Sequence, residues 1–210
     1  MKRINILALR ILLTVFALCS AGVMQAQHAQ AILDKATVKI GGGSSVNCSF
    51  TITGDGGSVK GTFKSSGQKF QLATPVATTW YDGNNMWTSN AKTMEITLVH
   101  PTAAEVNEVN PFSYLHNYKS TYKAYFSKKK NAKCHLIVLN PLNPGSCEIK
   151  AIEIAISKST FLPEHFIVRY SSDKVVTVNI SQLSLSAKNA VSTFVCPVTT
   201  MKGYELVDLR

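Results

Sequence analysis

The sequence predicts a mainly β protein of the α+β class, a curled antiparallel sheet with a helix at its start and a broken helical insertion in its middle. Three observations lead there. Segments across residues 46–98 and 135–180 alternate apolar and polar side chains, the period of a sheet with one dry and one wet face. Residues 31–43 place Leu33, Ala36 and Ile40 at helical spacing and then meet glycines from Gly41, which stop the helix. Residues 101–126 open on Thr102-x-x-Glu105, a capping box that satisfies two backbone donors at a helix start. Asn110-Pro111 then breaks that helix, because a residue before proline is pushed away from helical geometry.

The first residues have a different character. Met1-Lys2-Arg3 is basic, "INILALRILLTVFAL" is almost wholly apolar, interrupted by Arg10, and "CSAGVMQAQHAQA" turns small and polar. These are the three regions of a secretory signal peptide. The uninterrupted apolar run is far shorter than the ~20 residues of a membrane span. The cut is placed near Ala26, within bounds of 22–31, since Ala29-Gln30-Ala31 also satisfies the small-x-small rule. Cys19 follows Leu18 rather than a small residue, which argues against a lipid-modified cysteine. The expected organisation is a signal at 1–26 and a single domain at 27–210.

The strands follow in order. "VNCSFTI", "SVKGTF", "KFQL" and "MEITL" precede the insertion; "HLIVL", "EIKAIEIAI", "HFIVRY" and "VVTVNI" follow it, with "STFVC" near the end. Between the third and fourth lies "TTWYDGNNMWTSN", which holds both tryptophans. An even-numbered turn puts Trp80 and Trp87 on one face: directly opposite with Gly83-Asn84 as the loop, diagonal with Asp82-Gly83. About nine strands of this kind curl to cover their own apolar face. Two helices are few for that cover, so a pocket is expected beneath the insertion, whose second half carries Phe112, Leu115, Tyr118, Tyr122 and Phe126 at helical spacings. Lys119, Lys123, Lys128, Lys129, Lys130 and Lys133 crowd its far end, a surface for anionic headgroups or a partner, or a solvated helix end.

Removing residues 1–26 takes three cations and no acid, so the formal charge falls from +10 to +7. Such a balance leans toward anionic lipid or an acidic partner, and export argues against nucleic acid. Cys48, Cys134, Cys147 and Cys196 remain. Cys134 and Cys147 flank a strand–turn–strand pattern and are candidates for a cross-strand disulfide; Cys48 and Cys196 pair by elimination or stay as buried thiols. Catalysis is not expected. The chain lacks G-x-S-x-G, H-E-x-x-H and C-x-x-C, Glu164-His165 has no evident nucleophile, and the histidines have no metal-ligand spacing. No cofactor or metal is implied.

The hairpin resembles the t-W-y-D-G-k-t-m-W-t-y hairpin of the periplasmic outer-membrane lipoprotein carriers, the LolA-like family. "VNPFSYLHNYK" and "FLPEHFIV" are similar to the asparagine-proline helix and a later strand of the Bacteroidetes type, and "GYELVDLR" resembles their terminal v-x-v-v-D-L-R. The resemblance runs from about Ala31 to Arg210. It implies a half-open, strongly curled antiparallel β-barrel capped by an N-terminal helix and a proline-broken helical lid. It also implies a monomeric periplasmic carrier that shields lipoprotein acyl chains between the inner and outer membranes. Its partners would be lipoproteins, an inner-membrane ABC-type lipoprotein-releasing transporter and an outer-membrane acceptor, with transient membrane contact. A carrier for another envelope lipid, or a structural or adhesion protein of the envelope, is the alternative.

On this reading Phe50, Phe63, Phe70, Trp80, Trp87, Ile96 and Leu98 line the wall of the acyl cavity, and Phe112, Leu115, Tyr118 and Tyr122 form the lid that fills it when empty. One departure stands out. Proteobacterial members hold the lid with an arginine followed by proline before the third strand, where this chain has Lys64-Ser65-Ser66-Gly67. The lid must be held by other means.

Overall fold

The computed structural model describes residues 27–41, 45–110, 112–186 and 189–210. The signal-peptide reading, Gly42 to Ser44 and Pro111 therefore lie outside the described residues. Among the described residues no helix is long and apolar enough to cross a membrane.

Helix α1 spans residues 27–41. It turns Ala29, Leu33, Ala36 and Ile40, one stripe at spacings of three and four, into the core. Six strands follow: β1 (Ser45–Gly54), β2 (Gly57–Ser66), β3 (Lys69–Ala73), β4 (Ala77–Tyr81), β5 (Met86–Asn90) and β6 (Glu95–Val99). The insertion holds α2 (Ala103–Val109), α3 (Ser113–His116) and α4 (Tyr118–Thr121). Then come β7 (Tyr122–Phe126), β8 (Cys134–Pro141), β9 (Ile149–Ser157), β10 (Pro163–Tyr170), β11 (Val175–Ser186) and β12 (Glu205–Asp208).

All twelve strands form one sheet in the order β12-β6-β5-β4-β3-β2-β1-β11-β10-β9-β8-β7, which leaves β12 and β7 as edges. The sheet is curled but not closed. It joins its two halves through β1, flanked by β2 and β11. Gly61 permits a close approach there: a Cβ would stand 2.3 Å from the Phe50 ring and 2.4 Å from the Ala73 carbonyl oxygen.

Several sequence expectations need correction. The sheet has twelve strands rather than nine and is not wholly antiparallel, because β12 pairs with β6 in parallel. "STFVC" is not a strand; Val191–Phe194 is a short 3-10 turn. The second helical stretch ends at Thr121, and Tyr122 to Phe126 form edge strand β7. Tyr122, Ala124 and Phe126 also alternate with Lys123 and Tyr125, and pairing with β8 decides for the strand. Several of the crowded lysines thus sit on β7 and the turn after it, not on a helix end. Finally, β8 pairs Cys134 with Ser157 and Leu139 with Ile152, so its hairpin turns at residues 142–148. Cys134 begins β8 and Cys147 lies beyond its far end, ~25 Å along the strand. A disulfide needs Cα atoms within about 7 Å. The expected bridge is not formed, and the four cysteines are free.

Candidate functional site

The hairpin is set by turn chemistry. Asp82 Oδ1 accepts from the amides of Asn84 (2.9 Å) and Asn85 (2.7 Å), and Gly83 takes the positive φ of 102° that the turn demands. Burial raises the Asp82 carboxyl, but the Asn85 and Asn84 amides outweigh it and hold its pKa below the ordinary value. The result is Trp80 directly opposite Trp87, about Gly83-Asn84.

Which face they share is decided one strand away. Phe70 pairs with Tyr81, so Trp80 points to the opposite side of the sheet from Phe70. Phe50, Phe63 and Phe70 belong to the interior core under the helices. Trp80, Trp87, Ile96 and Leu98 form a second cluster with Cys196, packed by Val198, Met201 and Tyr204. The expected cavity wall is therefore split: three of its residues face inward, and four lie on the outer face beneath the C-terminal segment. The tryptophans do not face the interior. Their cover is pinned where Arg210, paired to Asp208 at 2.6 and 2.9 Å, reaches Asn85 in the hairpin turn at 3.3 Å.

The insertion covers the interior face. Thr102 and Glu105 form the capping box at α2, and the Asn110 side chain accepts from the Phe112 amide at 2.9 Å. Phe112 then stands between the two halves of the sheet, 5.2 Å from the Phe63 ring and 6.2 Å edge-on to Phe166. Phe112, Leu115, Tyr118 and Tyr122 are all buried, although Tyr122 is a strand residue. By contrast α2 buries no residue completely.

Where α2 crosses the sheet, a cavity of about 140 Å³ remains, walled by Phe50, Ile52, Leu72, Val109, Phe166 and Val178 among others. Glu108, Tyr114 and Tyr170 border both this cavity and an outer groove of about 670 Å³. The groove runs past Asn107, Asn117, Tyr122, Cys147 and Glu148. Burial raises the Tyr122 pKa to about 12 and also raises those of Tyr114 and Tyr170, so the groove tyrosines stay neutral hydroxyls. An apolar pocket thus opens through an amphipathic neck. Among the described residues no group of side chains is arranged to hold a metal.

The description "Outer membrane lipoprotein carrier protein LolA" belongs to a family model that matches residues 19–169. The chain belongs to the LolA family. Curated proteins yield no match. Among solved structures, an uncharacterized conserved protein of Thermus thermophilus is 11% identical with a TM-score of 0.59, covering 86% of this chain and 99% of its own. A DUF1329 family protein of Desulfovibrio piger is 10% identical with a TM-score of 0.51, covering 83% and 98%. A LolA superfamily protein of Nitrosomonas europaea is 11% identical with a TM-score of 0.44, covering 81% and 98%. At these identities the first two share the fold.

This LolA-family chain fastens its insertion to α1 instead of through an arginine. The Tyr118 hydroxyl donates to Asp34 Oδ1 at 2.8 Å and lies 3.2 Å from the Gln30 carbonyl. Lys119 Nζ meets the same carboxylate at 2.8 Å, and Thr37 Oγ1 donates to the Leu115 carbonyl at 2.9 Å. Burial raises the Asp34 carboxyl, yet hydrogen bonds from Lys119 and Tyr118 outweigh it and lower the pKa. Sequence reasoning missed Asp34, Thr37, Val109 and Tyr114. The available signal was Asp34 itself, the single acid within residues 27–41.

Proposed function

We propose that the protein is a periplasmic carrier that shields the acyl chains of lipoproteins between the inner and outer membranes. One observation carries this reading: the insertion fills the sheet's interior with its own Phe112, Leu115 and Tyr118 and leaves an apolar cavity that opens through the groove. Burying one chain of roughly sixteen carbons is worth on the order of 12 kcal/mol. The pocket opens to the groove, so loading replaces water against its apolar wall with the chain, and the plug limits how much apolar wall the empty protein exposes.

The inner cavity alone is smaller than the roughly 300–1,000 Å³ of ordinary ligand pockets. A chain must enlarge it by lifting the insertion, and α2, with no fully buried residue, is the part most easily moved. Phe112, Leu115 and Tyr118 act as the plug; Phe50, Val109 and Phe166 form the wall, and Phe63 and Phe70 are the interior surface that lifting Phe112 would add to it. A releasing transporter at the inner membrane and an acceptor at the outer membrane complete the cycle. The protein acts as a carrier, not a catalyst. Signal cleavage near Ala26 suits this role, because a cut after Ala31 would remove Ala29 from the core and Gln30 from beside Tyr118.

Val109→Phe tests the proposal by filling the cavity. The variant should keep its thermal stability and lose capture of a fluorescent diacylated lipopeptide. Undiminished capture by the folded variant would refute the assigned cavity. Capture of other envelope lipids in preference to the lipopeptide would instead favour a carrier with different cargo.

A further inference from the structure

At the opposite end of β8 from the groove, the turn β7–β8 (residues 127–133) adjoins the turn β9–β10 (residues 158–162), which meets the flank of α1. Lys129, Lys130 and Lys158 line a hollow of about 540 Å³ there with His135 and Phe126. Lys35 Nζ and Lys39 Nζ lie 4.9 and 5.9 Å from the centre of the Phe161 ring, which also faces the His135 ring at 6.3 Å. The carboxylates against this region are Glu153, 3.9 Å from Lys129, and Glu164, hydrogen-bonded to Cys134.

The arrangement is built rather than incidental. Lys158 Nζ donates to the Asn131 and Ala132 carbonyls at 2.8 and 3.2 Å, and Asn131 Oδ1 accepts the amides of Lys133 and Cys134. Lys39 Nζ donates to the Thr160 carbonyl at 2.6 Å, tying α1 to the second turn. Phe161 has φ 57°, a genuine outlier for a bulky residue. Strain of that kind persists only where its surroundings over-determine it, and it gathers at functional sites. It leaves a half-buried aromatic ring among lysines.

We infer that this end of the sheet docks on the surface of an anionic phospholipid bilayer, with the lysines on the headgroup phosphates and Phe161 at the interface. Clustered lysines add affinity for an anionic surface roughly one by one, while an aromatic ring favours headgroup depth. A docked carrier would hold its groove away from the bilayer, since the eight residues of β8 separate the two by ~27 Å. The orientation leaves the groove free for a protein partner while the carrier stays at the membrane.

The test is cosedimentation of the signal-less protein with vesicles of phosphatidylethanolamine and phosphatidylglycerol at about 50 mM salt, where screening is weak. The wild type should pellet with these vesicles, stay in solution with pure phosphatidylcholine, and be released by salt. Lys35→Glu/Lys130→Glu/Lys133→Glu should weaken partitioning by about 100-fold or more. Phe161→Gly, which removes the strain, should weaken it too while the circular dichroism spectrum is kept. Val109→Phe should bind vesicles like wild type, which separates docking from acyl capture. Equal binding to phosphatidylcholine, no pelleting with the anionic vesicles, or full binding by the folded triple variant would overturn the inference. So would a surface that engages only an acidic protein.

Discussion

Replacing Asp34 with alanine should loosen the insertion without emptying the core. Asp34 accepts a hydrogen bond from the Tyr118 hydroxyl and pairs with Lys119. A hydrogen bond to a charged acceptor is worth about 1.5–3 kcal/mol. The lysine pair adds at most about 1 kcal/mol, since its side chains are 63% and 44% exposed. Tyr118 keeps the Gln30 carbonyl within 3.2 Å, so its hydroxyl is not orphaned. A net loss of about 2 kcal/mol raises the open population about 30-fold. Hydrogen exchange of peptides spanning residues 112–122 should accelerate by that factor, with strands β1 and β11 changing far less. Tyr118→Phe should have a similar effect, and the double variant should fall short of the sum. The sign with pH follows from the lowered Asp34 pKa: the grip is present above the ordinary carboxylate value of about 3.9 and is lost as pH falls through the lower folded value. Unchanged exchange in these peptides, or acceleration spread evenly over the chain, would refute the latch.

Other expectations follow from the geometry. Trp80→Ala should cost about 3–5 kcal/mol of stability in denaturant titration, yet the folded variant should capture lipopeptide like wild type, because the indole lies in the outer cluster. Gly61→Ala should cost about 1–3 kcal/mol by thermal denaturation, since the Ala73 carbonyl that a Cβ would meet is backbone and the Phe50 ring is packed. Burial pushes the Cys48 thiol up to about 12 and those of Cys134 and Cys196 to about 11. These three are also buried whereas Cys147 is partly exposed, so alkylation at pH 8 should label Cys147 first, and bound lipopeptide should protect it because it lines the groove.

Local chemistry made parts of this fold legible. The helical stripe of α1, the capping box and the Gly83-Asn84 turn held by Asp82 each depend on residues a few positions apart. Their outcomes therefore lie within a short window of sequence. The placement of the tryptophans does not. Alternation puts Trp80 and Trp87 on a common face, but their face relative to Phe70 depends on the β3–β4 register, in which Phe70 meets Tyr81 rather than Trp80. A one-residue difference sends the indoles outward. The parallel pairing of β12 with β6 brings together residues over a hundred positions apart, and no local pattern announces it. Of the seven residues expected to face the interior, Phe50, Phe63 and Phe70 do so, and Trp80, Trp87, Ile96 and Leu98 lie on the outer face. The latch was invisible for the same reason, since Asp34 reaches its partner across 84 positions.

The proposed carrier role requires the space beneath the insertion to take up acyl chains. The most direct measurement is mass spectrometry of the signal-less protein secreted into a periplasm and purified without detergent. Acylated lipoproteins or lipids should accompany the wild type and be missing from Val109→Phe. Wild-type protein free of lipid, or cargo equally abundant in both, would contradict it.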